Sequence, residues 1–399
     1  MPFTSLCHHT CARLQLRTVK MSKTVVILGA GWAGLSLAHK LLKYTAVKLP
    51  DLKVILVSPN SHFFWNVAAT RGVIPDEIPD DRLFIPIKPA FDKYPPKNFE
   101  FVLGKAESVD SAGNTVRIAF GEGRQLHLHY GQLVIATGSR LASNLPFKLV
   151  GSYEATISAW HSLQSQVKKA KSIVLAGAGP TGVEVAGELA ARFGTAKDIT
   201  LLVSGEQPLE GALSSVRTTV EGDLKKLGVK LAPQVRVTGA KELSGGQTEV
   251  ALSDGSMLTV DLFLPLYGIL PNTSFLPDSF LDANGNVKLD KSLRIDGTGN
   301  IWGIGDVGDV EPKQLTVTDN QIIHLAAALD ATLTGFPVKP YEPVGKKMIF
   351  LSLGRKMATG QIGNWKLFGF MVAYVKGRKL FVDTAEGYVG GKHLRHAAM

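Results

Sequence analysis

Three glycines at one fixed spacing occur twice in this chain. Gly29, Gly31 and Gly34 lie in TVVILGAGWAGLSLAHKLLK, and Gly177, Gly179 and Gly182 lie 148 residues later in SIVLAGAGPTGVEVAGELAARF. In each copy an apolar β run precedes G-x-G-x-x-G and a helical pattern rich in Ala and Leu follows it. The first glycine makes the tight turn, the second lets backbone approach a pyrophosphate, and the third lets helix pack on strand. Amides at the helix start, with Ala30 in the first loop, then meet the phosphate charge. One such motif is weak, because glycines also end helices and make ordinary turns. Two copies, each between a strand and a helix, predict two dinucleotide sites.

Other residues offer chemistry with plainer alternatives beside it. Asp306 follows a β run and lies between Gly305 and Gly308, where a carboxylate can accept hydroxyl hydrogen bonds or simply cap a turn. Glu184 falls near the start of the second helix, where the macrodipole favours a carboxylate with or without a ligand. Arg71 can pair with a phosphate or form a surface salt bridge. The two cysteines, Cys7 and Cys11, stand with His8 and His9 in the leading segment at a spacing that matches no standard zinc pattern, so no metal is expected. With no cysteine after Cys11, a flavoenzyme built on this core has no redox disulfide and must pass electrons directly.

These residues need a scaffold. With 399 residues and 45% hydrophobic content the chain can bury large cores. The expected class is α/β: two nested Rossmann-like dinucleotide-binding domains and a small α+β C-terminal domain. The boundaries read as a leader or artefactual extension over 1–22, a first domain in two parts over 23–150 and 269–335, an inserted second domain over 151–268, and a terminal domain over 336–399. Gln314 to Leu333 reads as a helix whose N-terminus can face the first ligand. The prolines from Pro75 to Pro96 argue for wrapping loops.

The formal charge is +10, of which Arg13, Arg17 and Lys20 supply three, leaving +7 for the rest. That favours anionic ligands or an acidic membrane surface. Nucleic acid is permitted but not favoured, since no basic run interleaved with aromatics specifies it. The acid-free leader resembles a mitochondrial transit segment; equally, translation can begin at Met21, two residues before the first domain, which leaves a cytoplasmic protein.

The motifs together resemble the two-dinucleotide flavoproteins of the pyridine nucleotide-disulfide oxidoreductase superfamily. LVIATGS (Leu133 to Ser139) is similar to the family's strand-end ATG segment and NIWGIGDVGDV (Asn300 to Val310) to its flavin-binding GD segment. SHFFWNVAATR (Ser61 to Arg71) and the tail from Ile349 to Val382 are similar to the apoptosis-inducing-factor-like subgroup that includes the ferroptosis suppressor proteins. The resemblance implies FAD held by Gly29, Ala30, Gly31, Gly34, Thr137, Gly138 and Asp306; beside them Arg71 is the candidate to pair with FAD phosphate, with the surface salt bridge as its plainer alternative. It implies NAD(P)H held by Gly177, Gly179, Gly182 and Glu184, and electrons passed to a quinone. Glu184 and Lys376 are the candidate catalytic residues; for Lys376 a solvated basic loop with Arg378 and Lys379 is the plainer reading.

Two strand ends refine this. The strand that usually ends in Glu or Asp for the adenosine ribose ends here at Ser58, whose hydroxyl is a weaker partner. ITLLV ends at Ser204-Gly205-Glu206, and from Ile199 to Val216 there is no Lys or Arg but Glu206 and Glu210 occur, which predicts NADH over NADPH. In the tail, Trp365, Phe368, Phe370, Met371, Tyr374 and Phe381 mix with Lys366, Lys376, Arg378 and Lys379. They suit a peripheral contact with an acidic lipid surface, such as a membrane or lipid droplet, or, as the plainer reading, packing of the terminal domain on the flavin domain. The leading function is thus an FAD-dependent, NADH-preferring oxidoreductase acting on a quinone. The alternatives are a reductase of a soluble aromatic metabolite and a redox-sensing, cell-death type factor that binds DNA or a partner. Oligomeric state is left open.

Overall fold

A computed structural model describes residues 23–392, so the Cys7–Cys11 cluster, the basic leader and Met21 lie outside the described residues. Its centre is a five-stranded parallel sheet. β1 (Thr24–Leu28) is flanked by β2 (Lys53–Ser58) and by β4 (Gln132–Ile135); β3 (Phe99–Leu103) closes one edge and β9 (Ile301–Gly303) the other. Val25 to Leu28 and Val54 to Val57 are all buried, as strands covered on both faces must be, which is why they read as continuous apolar runs rather than alternating ones. α1 (Trp32–Lys40) follows β1, and α2 (Ala69–Gly72) is a single turn in the proline-bounded stretch.

After α3 (Tyr153–Lys169) the order repeats in a four-stranded parallel sheet. β5 (Ser172–Ala176) lies between β6 (Asp198–Leu202) and β8 (Leu262–Pro265), with β7 (Lys230–Ala232) at the edge; α4 (Pro180–Phe193) and α5 (Ser214–Lys226) join the strands. The chain passes between the sheets through two short strands, Ser139–Leu141 and Ile269–Pro271, which pair antiparallel. It then returns to the first sheet as β9 and continues into α6 (Leu315–Thr334), where a helix was expected.

The last part is a three-stranded antiparallel sheet of β10 (Met348–Leu353), β11 (Met357–Ile362) and β12 (Trp365–Leu367), followed by α7 (Gly369–Val372) and α8 (Val382–Val389). β10 lies directly on α4: a Cβ at Gly187 would come within 2.8 Å of the Leu353 Cα, so only glycine admits this approach. On the other side, α8 places Tyr388 against Trp32 of α1, with ring centroids 4.0 Å apart. No helix among the described residues is long and apolar enough to cross a membrane.

Candidate functional site

The two glycine loops have the same geometry. Gly29 has φ +105°, and a Cβ there would lie 2.3 Å from the Ala136 carbonyl oxygen; one on Gly34 would lie 1.9 Å from that of Gly29. Gly177 has φ +104° with Leu266 O 2.9 Å from its would-be Cβ, and a Cβ on Gly182 would lie 1.9 Å from Gly177 O. The middle glycines differ from their neighbours: nothing stands within 4 Å of a Cβ built on Gly31 or Gly179. Both are extended N-cap residues of their helices, and neither helix is capped by a side chain. Two open cradles over uncapped amides are what two pyrophosphates require, so the residues present fit both dinucleotides.

Around the first loop, Thr137 Oγ1 donates to Asn272 O (2.7 Å) and Asn272 Nδ2 donates to Thr137 O (3.0 Å), which ties the strand end to the returning chain. Gly138 has φ +66° and open space beside it. Asp306 does more than cap a turn. Its Oδ2 accepts from Lys148 Nζ (2.6 Å) and Ser139 Oγ (2.7 Å), while Lys313 donates to its backbone oxygen (2.7 Å). Burial alone would raise its pKa, but the adjacent Lys148 ammonium and the Ser139 bond hold the carboxyl below its ordinary value. Asp306 is therefore an ionised acceptor. Lys148 carries no local motif and is brought to the site only by the fold.

Two expectations at the first site are corrected. Ser58 does not wait for a ribose: its hydroxyl donates to Asn60 O (2.9 Å) and accepts from Asn60 N (3.1 Å), closing a local turn that buries it. Arg71 is neither on a phosphate cradle nor at the surface. It is buried, donates through Nε and Nη2 to both oxygens of Glu188 (2.8 Å each), and donates again to the carbonyls of Gly377 (2.7 Å) and Arg378 (3.1 Å). A guanidinium so occupied has four of its five donors spent on α4 and the tail.

The candidate catalytic residues meet. Lys376 Nζ donates to Glu184 Oε1 (2.7 Å) and to Phe350 O (2.8 Å), with side chains only 13% and 7% exposed. Lys376 is therefore not part of a solvated basic loop. Ser352 of β10 joins this pair to the Arg71–Glu188 pair, its N–H donating to Glu184 Oε1 (2.9 Å) and its Oγ lying 3.2 Å from both Glu184 Oε1 and Glu188 Oε1. Burial pushes the Glu188 carboxyl above its usual value despite Arg71. Sequence reasoning missed Glu188 and Ser352; the one available signal was Glu188 four residues after Glu184, hence on the same helix face.

At the end of β6 a cavity of about 160 Å³ is lined by Val203, Glu206, Glu221, Lys225 and Pro233, among others. No Lys or Arg occurs from Ile199 to Val216, but α5 carries Lys225 to the same cavity. Lys225 is already engaged: it donates to Glu221 (2.6 Å), which also accepts from Gln207 (2.8 Å), and these bonds hold the Glu221 carboxyl below its ordinary value. The tail aromatics depart from the packing reading. Trp365 is 80%, Phe370 74% and Tyr374 71% exposed, and Phe368 and Met371 are exposed beside them.

Comparison with known proteins gives a consistent result. The family model described as pyridine nucleotide-disulphide oxidoreductase matches residues 23–321. "Oxidoreductase ptaL" of Pestalotiopsis fici is 41% identical, with 93% of this chain and 100% of the relative covered. Ferroptosis suppressor protein 1 of Homo sapiens is 29% identical over 90% of this chain and 94% of its own. Among solved structures, the sulfide:quinone oxidoreductase of Aquifex aeolicus superposes with a TM-score of 0.73 at 20% identity, covering 92% of each chain. The water-forming NADH oxidase of Lactobacillus brevis gives 0.68 at 17% identity, covering 85% of this chain and 75% of its own.

Proposed function

The chain belongs to the pyridine nucleotide-disulphide oxidoreductase family, and on that premise we propose that it is an NADH-preferring flavoprotein that delivers electrons to a quinone. That it is an oxidoreductase binding FAD and NAD(P)H follows from the family and its oxidoreductase relatives. The donor preference and the acceptor are the proposal. The observation that carries it is the pairing of two open glycine cradles with a mostly buried Glu184–Lys376 ion pair where α4 meets the tail.

FAD, when bound, supplies hydride acceptance from the reduced nicotinamide and onward transfer of two electrons. The chain's residues do the rest. Gly31 and Gly34 present the amides of α1 to the FAD pyrophosphate, and Asp306, kept ionised by Lys148, offers Oδ1 to ribityl hydroxyls. Gly179 and Gly182 do the same for the nicotinamide dinucleotide. Lys376 uses two of its three N–H donors on Glu184 and Phe350, leaving one for a ligand, and Glu184 receives all its protein donors on Oε1, leaving Oε2. An ammonium held in place at a mostly buried site is suited to orient a carbonyl acceptor and to hold a proton at Nζ for it.

The donor preference rests on Glu206 and Glu221, which border the cavity at the end of β6. A 2′-phosphate placed there would meet two carboxylates and a lysine already paired with one of them. The absence of any cysteine after Cys11 removes a disulfide relay and calls for direct transfer to the acceptor, and the choice of a quinone is supported by a fold neighbour named for its quinone. The test is anaerobic bleaching of the FAD-loaded protein by NADH and by NADPH, then reoxidation by a short-chain ubiquinone. Fast bleaching by NADH with quinone-dependent recovery is expected. A kcat/KM ratio favouring NADPH would overturn the donor assignment, and recovery only with a soluble non-quinone aromatic would overturn the acceptor.

A further inference from the structure

We propose that the outward face of α7 and of the turn that follows it, with the tip of the β11–β12 hairpin, is a docking surface for anionic phospholipid. It goes beyond the electron-transfer reading and does not depend on it.

The segment from Trp365 to Val375 is divided by its own geometry. Val372, Ala373 and Gly377 turn inward, and the first two pack with Ala358, Phe350 and Leu367 of the terminal sheet. Phe368, Phe370, Met371, Tyr374 and Val375 turn outward together with Trp365, each at least half exposed. Isolated exposed apolar residues are ordinary on a protein surface; six within eleven residues are a patch that water alone does not favour. Phe368 and Phe370 lie with ring centroids 5.9 Å apart, so the patch is continuous at its centre.

Charge selects the occupant. No Asp or Glu occurs between Arg355 and Asp383, while Arg355, Lys356, Lys366, Lys376, Arg378 and Lys379 do. Lys376 turns inward to Glu184, Arg355 is held by Glu77 (2.9 Å), and Lys379 is paired with Asp383 of α8, whose Glu386 faces Arg82. Lys366 donates to the neutral Thr219 hydroxyl, and the Arg378 guanidinium lies over the Tyr374 ring (5.3 Å). Lys366 and Arg378 thus keep their charge uncompensated by a carboxylate beside the aromatics. Aromatic side chains rimmed by cations suit the headgroup layer of an acidic bilayer, whose surface potential attracts the cations while the rings enter the acyl boundary. A second copy packed face to face about a two-fold axis would instead bring two cationic patches together with no carboxylate from residues 356–382 to pair them. The docked segment also carries Lys376, so a bound bilayer would lie beside the segment that holds the Glu184 ion pair.

The test is flotation of the FAD-loaded protein with vesicles of phosphatidylcholine alone and of phosphatidylcholine with phosphatidylserine, at low and raised salt. Binding to the phosphatidylserine vesicles at low salt is expected, weakened by salt and absent without phosphatidylserine. Trp365→Ser with Phe370→Ser is expected to lower the bound fraction about ten-fold, and Lys366→Glu with Arg378→Glu to abolish it. Flavin content and the rate of NADH bleaching stay unchanged in all of them and report separately on the enzyme. No flotation of the wild type, or flotation that survives the aromatic pair of substitutions, would overturn the proposal. So would a wild-type dimer in analytical ultracentrifugation that Phe370→Ser dissociates, since a second copy would then cover the face.

Discussion

α1 and α4 begin on the same glycine geometry and meet the terminal domain in opposite ways. The offset of 148 residues places Ser36 of α1 where α4 has Glu184, and Lys40 where α4 has Glu188. Ser36 Oγ donates to the Tyr388 hydroxyl (2.5 Å), which donates to Trp32 O (3.0 Å). Complete burial pushes the Tyr388 phenol far above its usual value, so this Ser36–Tyr388–Trp32 contact is neutral at any working pH. The α4 seam joins four charged side chains, Arg71, Glu188, Glu184 and Lys376, through Ser352. The backbone repeat therefore decides only that each half cradles a dinucleotide. The helix face one turn further on decides what else the half can do.

The widest expected effect separates the halves at the glycines. Gly34→Ala pushes a methyl to within 1.9 Å of the Gly29 carbonyl and is expected to yield protein without FAD. Gly182→Ala does the same in the second loop and is expected to keep the flavin spectrum while slowing NADH bleaching by about 100-fold or more. Loss of flavin from Gly182→Ala would mean that the two loops are not independent.

Next comes the charged seam as a structural unit. Arg71→Met leaves Glu188 buried without its partner and is expected to cost about 3–5 kcal/mol of stability in thermal or urea unfolding. Arg71→Met with Glu188→Met removes both charges and is expected to recover most of that loss. A double variant no more stable than the single one would assign Arg71's role to its bonds with Gly377 and Arg378 instead.

A smaller effect contrasts the seams in function. Lys376→Met removes a charged donor and is expected to lower steady-state turnover by about 10- to 100-fold with FAD retained. Tyr388→Phe removes a neutral hydroxyl and is expected to cost about 1 kcal/mol of stability with turnover unchanged. Equal kinetic losses in the two variants would erase the functional difference between the two seams.

The smallest effect is on pH. Because folding raises the Glu188 pKa from 4.5, its contribution is fully present below about 4.5 and is lost as pH rises through the elevated folded value. Unfolding free energy from urea denaturation, followed upward from pH 4.5, is expected to fall in the wild type relative to Glu188→Gln, by at most about 1.4 kcal/mol for each pH unit. Parallel curves would show that Glu188 titrates alike in both states.

Legibility varied with distance along the chain. Both glycine loops, the GD segment and the helix after it were readable because each is one contiguous strand, turn and helix. The pairing of Glu184 with Lys376 was not readable, since each had a plain local explanation, a helix dipole for one and a basic loop for the other. Arg71 was misassigned because a phosphate and a carboxylate ask the same donors of arginine. Ser58 was misassigned because its turn with Asn60 is invisible to residue type. Lys225 was not legible at this site because the strand end itself carries no cation and α5 returns to it only in the fold.

By itself the sequence determined that this chain holds two dinucleotides in nested parallel sheets and has no redox disulfide in its core. Turn and helix-start chemistry is local, and hydrophobic periodicity is written in neighbouring residues. Only the tertiary structure decided which charges are buried together, that Asp306 is held ionised by Lys148, and that the tail aromatics face outward. Those outcomes depend on burial and on contacts between residues 117 to 192 positions apart, as in Arg71 with Glu188 and Glu184 with Lys376. Desolvation and pairing energies belong to the assembled core, and no stretch of chain carries them alone.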